Sequence, residues 1–222
     1  MSDEFVFAGY PVFRADVDRM ERVDREVAAK EVQALIEEHA ESVHTRGVYS
    51  TAGFSPTADL MMFLKSDSAH AIQDFVVALR HTRLGRALEM REMFLGLVRP
   101  AEFAKDHLPA FVQGKAPKRY LNIYPYVRTA EWYLLDPSER GRLLREHGEA
   151  GREFPDVWAN TTSAFGLGDY EWILCFEADS PDRIVDLLRR LRANEARRYT
   201  KLEIPFFTGI RKDVAEVVSD LP

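Results

Sequence analysis

The chain has 222 residues, 46% hydrophobic and 30% charged, with a formal net charge of −6, which suits one large globular domain or two small ones. The acidic balance argues against a general nucleic-acid binder, whose phosphate contacts need dense positive charge. No apolar run approaches the roughly 18 residues of a membrane helix, and Met1-Ser-Asp-Glu4 is acidic with no apolar core behind it, so a cytoplasmic protein outside the membrane is expected.

In chain order, Phe5 to Arg14 is rich in aromatic and β-branched residues and predicts a strand. Val17 to Glu41 carries Met20, Val23, Val27, Ala28, Val32, Leu35 and Ile36 at helical spacing. Val43 to Ser50 and Leu60 to Leu64 form a strand pair around the Gly53-Phe-Ser-Pro56 turn. Ser68 caps a helix with Ile72, Phe75, Val76 and Leu79 on one face, and a strand from Glu89 to Arg99 follows. The segment from Pro100 to Lys118, with two further prolines and a glycine, reads as a linker.

The pattern then repeats. Tyr120 to Arg128 is a strand, Trp132 to Ala150 a helix, and Val157 to Ala164 with Tyr170 to Phe176 a strand pair. Within that pair Cys175, the single cysteine, lies in an apolar run and reads as a small buried residue. It excludes an intrachain disulfide and a cysteine zinc site. A helix from Pro181 to Ala193 and a strand from Tyr199 to Phe207 complete the series. The arginines at 189, 190, 192, 197 and 198 read as a solvated face.

The two series also share residues. Tyr10-Pro-Val-Phe-Arg14 matches Tyr124-Pro-Tyr-Val-Arg128 at an offset of 114. Leu35-Ile-Glu-Glu-His39 matches Leu143-Leu-Arg-Glu-His147 at 108, and Asp67-Ser68 matches Asp179-Ser180 at 112. A duplication explains this. It predicts an α+β fold of duplicated ferredoxin-like units forming a dimeric α/β barrel: an N-terminal half at 1–99, a linker at 100–118 and a C-terminal half at 119–222.

Six histidines are available as ligands. His147 shares a helical stripe with Leu143 and Leu144 and faces inward, but His39 has the same spacing, and periodicity does not choose between them. Strand alternation puts Tyr124, Tyr126 and Arg128 on one face. Composition alone gives Tyr124 no privilege over Tyr120, Tyr126 or Tyr133. His107, in Lys105-Asp-His-Leu-Pro109, reads as a solvated loop histidine.

The Tyr124-Pro-Tyr-Val-Arg128 strand end, Glu146-His147-Gly148 and the stretch from Ala159 to Trp172 together resemble the coproheme decarboxylases, chlorite-dismutase-like haem enzymes, in their actinobacterial branch. The resemblance implies a proximal histidine 23 residues after the catalytic tyrosine, which selects His147 as axial ligand of haem iron. It implies a distal histidine 17 residues before the tyrosine, which selects His107, and a linker crossing the distal side of the pocket. Tyr124 becomes the redox-active residue, and Arg128 a propionate ligand. Arg197, Asn160 and Arg152 are further substrate-binding candidates, whereas Trp132 and Trp172 read as packing around the pocket.

The implied substrate is iron-coproporphyrin III, acting as its own redox cofactor. Two of its propionates are oxidatively decarboxylated by hydrogen peroxide through a tyrosyl radical, giving haem b as product. The resemblance implies a homopentamer and leaves contact with a ferrochelatase open. Two alternatives stand beside this reading. One is a chlorite dismutase or haem peroxidase of the same fold; chlorite dismutases carry an arginine 13 residues after the proximal histidine, where this chain has Asn160. The other is a non-catalytic haem-binding ferredoxin-like protein.

Overall fold

The computed structural model describes residues 5–98 and 108–222. They fall into two compact units, one of residues 5–97 with 207–222 and one of residues 98 and 108–206.

In the first unit, β1 (Phe7–Ala15), β2 (His44–Ser50), β3 (Leu60–Ser66) and β4 (Leu88–Leu97) pair antiparallel in the order β4-β1-β3-β2. That is the ferredoxin-like order, and its helices follow from the sequence with one correction. The helix expected from Val17 to Glu41 is two, α1 (Val17–Met20) and α2 (Arg25–Glu38). Asp24 interrupts it: its side chain accepts the backbone N–H of Val27 at 3.1 Å and starts a new helix. Ser68 caps α3 (Ala69–His81) as expected, accepting from the Ala71 N–H at 3.2 Å. Helix and sheet meet in a core containing Phe13, Val32, Met62, Leu64, Ile72 and Phe75.

The second unit repeats the order with β5 (Tyr120–Arg128), β6 (Trp158–Ala159), β7 (Thr162–Ser163), β8 (Trp172–Ala178) and β9 (Thr200–Leu202). The short β6 and β7 both pair with β8, β8 pairs with β5, and β5 with β9. The expected long helix is again two, α4 (Ala130–Leu134) and α5 (Pro137–Arg152). Proline at the first helical position and Asp136 at the cap, accepting from the Ser138 N–H at 2.8 Å, set the second start. α6 (Pro181–Arg192) covers the same sheet face, burying Ile184 and Leu187 against Tyr124, Phe176 and Ala178.

The α+β class with duplicated ferredoxin-like units is borne out. Compactness, however, divides the chain differently from the repeat. Phe207–Pro222 clusters with the first unit, where β10 (Phe207–Lys212) pairs antiparallel with β2. After it, α7 (Val214–Asp220) packs against α2. Arg25 fastens this return: its guanidinium donates to the carbonyls of Val218 and Leu221 at 2.8 Å and of Pro222 at 2.6 Å. Of these, the Val218 carbonyl lies in the last turn of α7, where a helix leaves carbonyls without intrahelical partners. No helix among the described residues is long and apolar enough to cross a membrane.

Candidate functional site

The strand β5 carries the centre of the candidate site. Alternation sends Tyr124, Tyr126 and Arg128 to the helix-covered face of the second unit's sheet, where Tyr124 joins the core with α6. Tyr124 is 4% exposed. Its ring stacks on Phe206 at 4.2 Å between centroids and lies 6.2 Å from Phe176. Burial raises its phenol pKa; Glu203 adds to the rise, while Arg192 and Arg197 oppose it. The phenol is therefore protonated throughout the working pH range, and any oxidation of it has to move a proton as well as an electron.

Two residues on, Tyr126 is half-buried, with its hydroxyl 2.8 Å from the Thr200 hydroxyl. Arg128 comes next, at the strand end. Its guanidinium lies 4.0 Å from the Trp132 ring centre and 4.8 Å from that of Tyr126, and it donates to the Ala196 carbonyl at 2.9 Å. Stacking on two rings fixes the plane of a charged fork. Glu171 holds the strand end from the other side, accepting from the Arg128 N–H at 2.7 Å and from the Tyr133 hydroxyl at 2.6 Å.

His147 approaches from α5. One turn earlier, Leu143 is buried against Trp132 and Ala196, with Leu144 and Tyr199 packed alongside, so the stripe that orients His147 is anchored. The side chain is half-buried. Burial first, and the Arg128 guanidinium second, pull its pKa down to about 4. At neutral pH it is an uncharged imidazole, the form that ligates a metal. His39, its repeat counterpart, is differently employed: its Nδ1 lies 3.0 Å from the Leu35 carbonyl, and its ring meets Phe75 edge-on at 5.5 Å. The structure thus separates two histidines that periodicity could not.

Gly151 continues the His147 stripe one turn on and Gly148 follows Leu144 in the same way, and a Cβ added at either meets nothing within 4 Å. Each glycine costs a helix interior about 1 kcal/mol relative to alanine, and here both face open space. Among the described residues no three His, Cys, Asp or Glu side chains gather to hold a bare metal ion. One neutral histidine suits a metal that arrives with its other donors already attached, as porphyrin iron does. The residues present fit such a group chemically, since His147 offers a neutral imidazole and Arg128 a cation able to pair with a carboxylate.

The other sequence-derived candidates divide. Arg197 is exposed and pairs with Glu203 at 2.6 Å, within the set of charges that Tyr124 senses. Arg152 ends α5 on an exposed side and takes no part in these contacts.

Asn160 lies in the interior. It is fully buried, its Oδ1 accepts from the Phe111 N–H at 3.0 Å, and its Nδ2 donates to Glu177 at 2.8 Å. Both ends of the amide are thus bonded inside the protein. His107 and the linker up to it lie outside the described residues. Trp132 is 3% exposed and packs as expected, and Cys175 is buried. Sequence reasoning passed over Glu203 and Phe206 and read Arg192 only as part of a solvated face. The only signal for them was an acid within reach of an arginine-rich helix end, a common surface pattern.

The sequence matches the chlorite dismutase family over residues 25–212. It is 48% identical over 189 residues to the coproheme decarboxylase of Mycolicibacterium smegmatis, covering 85% of this chain and 82% of that one. It is 26% identical to the chlorite dismutase of Ideonella dechloratans, covering 97% of this chain and 78% of the other. A solved structure of a chlorite dismutase variant from Candidatus Nitrospira defluvii superposes with a TM-score of 0.88 at 23% identity, covering 98% of this chain and 95% of that chain.

Proposed function

The chain belongs to the chlorite dismutase family, and we propose that within it the protein is a coproheme decarboxylase, acting in haem synthesis. The observation that carries this reading is a buried, protonated Tyr124 on the same helix-covered layer as an uncharged His147, with the Arg128 cation set beside both Tyr126 and the imidazole. The 48% identity to a coproheme decarboxylase supports it over the other activities of the fold.

When bound, the iron porphyrin supplies four nitrogen donors and the capacity to draw oxidising power from hydrogen peroxide. The chain's own residues do the rest. His147 holds the iron from α5, and its low pKa keeps that ligand available in mild acid. Arg128, its guanidinium plane fixed by Trp132, holds a propionate. Tyr124 gives up an electron and its phenolic proton together, and His107 manages the proton traffic. The phenoxyl radical takes hydrogen from the propionate carbon next to the ring substituent's carboxylate-bearing carbon. The carbon radical then gives up a second electron to the oxidising equivalent still left from the peroxide, the carbon–carboxylate bond breaks, and carbon dioxide leaves behind a vinyl group. Each propionic acid group loses carbon dioxide and two hydrogens, and these reduce one hydrogen peroxide to two waters. Two rounds convert coproheme to haem b.

Positioning rather than acid strength is the protein's main task, since a radical transfers hydrogen only to a carbon held against it. The chlorite-splitting alternative is disfavoured by Asn160, whose amide is consumed inside the protein and offers no cation in place of an arginine. The test is direct. Purified protein is titrated with coproheme, given hydrogen peroxide in steps, and the porphyrin is followed by mass spectrometry. Two successive losses of carbon dioxide plus two hydrogens are expected, with chlorite left intact. An unchanged porphyrin mass would overturn the reading.

A further inference from the structure

The carboxylate of Glu203 is held at both oxygens. Arg192 donates to Oε1 at 2.5 Å and Arg197 to Oε2 at 2.6 Å. The Glu203 side chain is 16% exposed, whereas those of Arg192 and Arg197 are 45% and 41% exposed. The acid thus points inward from a pair of cations that reach solvent. Three residues later, Phe206 stacks on Tyr124 at 4.2 Å, and Arg192 stands 6.0 Å from the Phe206 ring centre. Two guanidinium groups with one carboxylate between them therefore lie a single ring away from the residue assigned the radical.

We propose that Arg192 and Arg197 form a carboxylate-binding fork beside Tyr124, that Glu203 is its resident occupant, and that the reacting carboxylate of the substrate competes with Glu203 for it. The inference rests on the decarboxylase reading and adds to it a specificity device. Two arginines offer more donors and charge than one carboxylate uses, so a net positive charge persists at the fork and attracts a second anion. A propionate carboxylate has the same donor-accepting geometry as Glu203 and can replace it. Once that carboxylate leaves as carbon dioxide, the vinyl group has nothing to offer a guanidinium, and Glu203 retakes the fork. Glu203 would then tell substrate from product at the position where they differ. The Tyr124 phenol senses all three charges, in keeping with their adjacency.

The test uses ligand-free protein as wild type, Glu203→Gln and Arg192→Gln, titrated separately with ferric coproporphyrin III and with haem b. Tryptophan fluorescence quenching reads binding, and thermal melting of the unliganded proteins reads folding. Removing the competing charge should make Glu203→Gln bind coproheme about tenfold more tightly, with haem b affinity within about twofold of wild type. Arg192→Gln should bind coproheme about tenfold more weakly, again with little change for haem b; it carries the test alone if Glu203→Gln does not fold. If Glu203→Gln instead weakens both ligands alike, Glu203 is a brace for its segment and the proposal fails. Equal tightening of both ligands would overturn the discrimination between substrate and product. Failure of the decarboxylase reading looks different: the same wild-type protein would bind coproheme and show no loss of carbon dioxide with peroxide.

Discussion

His147 offers a prediction whose size follows from its surroundings. The imidazole's pKa is pulled down to about 4 by burial and by the Arg128 guanidinium, against about 6.5 in an unfolded chain. The folded protein therefore binds this proton less readily than the unfolded one. Above pH 6.5 neither state is protonated at His147, and the group contributes no pH dependence. As pH falls from 6.5 to 4 the unfolded state takes up a proton that the native state lacks. Stability is lost at about 1.4 kcal/mol per pH unit over that window, for a total of about 3 kcal/mol. Because the ring keeps some contact with solvent, about 3 kcal/mol is an upper figure. His147→Gln removes the titrating group but keeps a polar side chain. The difference in urea stability between wild type and this variant should be flat above pH 6.5 and shrink steadily below it.

The same shift bears on ligand binding. At pH 5.5 an ordinary histidine is about 90% protonated, whereas one with a pKa near 4 is about 97% neutral. His147 should therefore ligate iron across the mildly acidic range. Imidazole NMR of the ligand-free protein measures the pKa directly, and Arg128→Ala should move it part of the way back toward 6.5, since burial is the larger cause. A titration midpoint at 6 or above in wild type, or parallel loss of stability in wild type and His147→Gln, would refute the argument.

Tyr124→Phe should bind coproheme as wild type does and change stability by no more than about 1 kcal/mol, yet release no carbon dioxide on addition of peroxide; mass spectrometry of the porphyrin decides. Asn160→Ala should cost about 2–4 kcal/mol in urea unfolding, because it leaves the buried Glu177 carboxylate and the Phe111 N–H each short of a partner. An unchanged midpoint would show that water replaces the amide. His107→Ala should keep coproheme affinity but slow the response to dilute peroxide by about 10²–10⁴-fold. Unaltered peroxide dependence between about pH 6 and 9 in that variant would remove His107 from the proton path.

Much of the fold could be read in advance because both halves obey local rules. β5 runs from Tyr120 to Arg128 as the sequence predicts, and Ser68 caps where a serine before an apolar stripe should. The misplaced boundaries have equally local causes. Asp24 and Asp136 each restart a helix inside an otherwise continuous apolar period, and periodicity does not register a cap. The C-terminal strand and helix were hidden for a different reason. Phe207 to Leu221 looks like an ending for the nearer half, and only the pairing of β10 with β2 and the Arg25 bonds to the last carbonyls assign it to the first unit. Those contacts span nearly 200 positions, as between Arg25 and Pro222, and carry no local signature.

At the site, the candidates for chemistry were legible and the contacts around them were not. Residue type and periodicity left Tyr124 level with three other tyrosines and His147 level with His39, and only a spacing with a familial counterpart singled them out as candidates. Asn160 was legible only in part: its spacing placed it where the family keeps a pocket residue, while its hydrogen bonds run to partners 49 and 17 residues away. Glu203 is the converse case. Alone it is one acid among 36 acidic residues, and it gains meaning only when the turn after α6 brings Arg192 and Arg197 to its two oxygens beside the Phe206–Tyr124 stack. A charge becomes a candidate for function when burial and saturation by opposite charges set it beside a reactive group. Both conditions are three-dimensional, so residues that tune such a site have to be sought in the folded chain even when the residues that react can be found in the sequence.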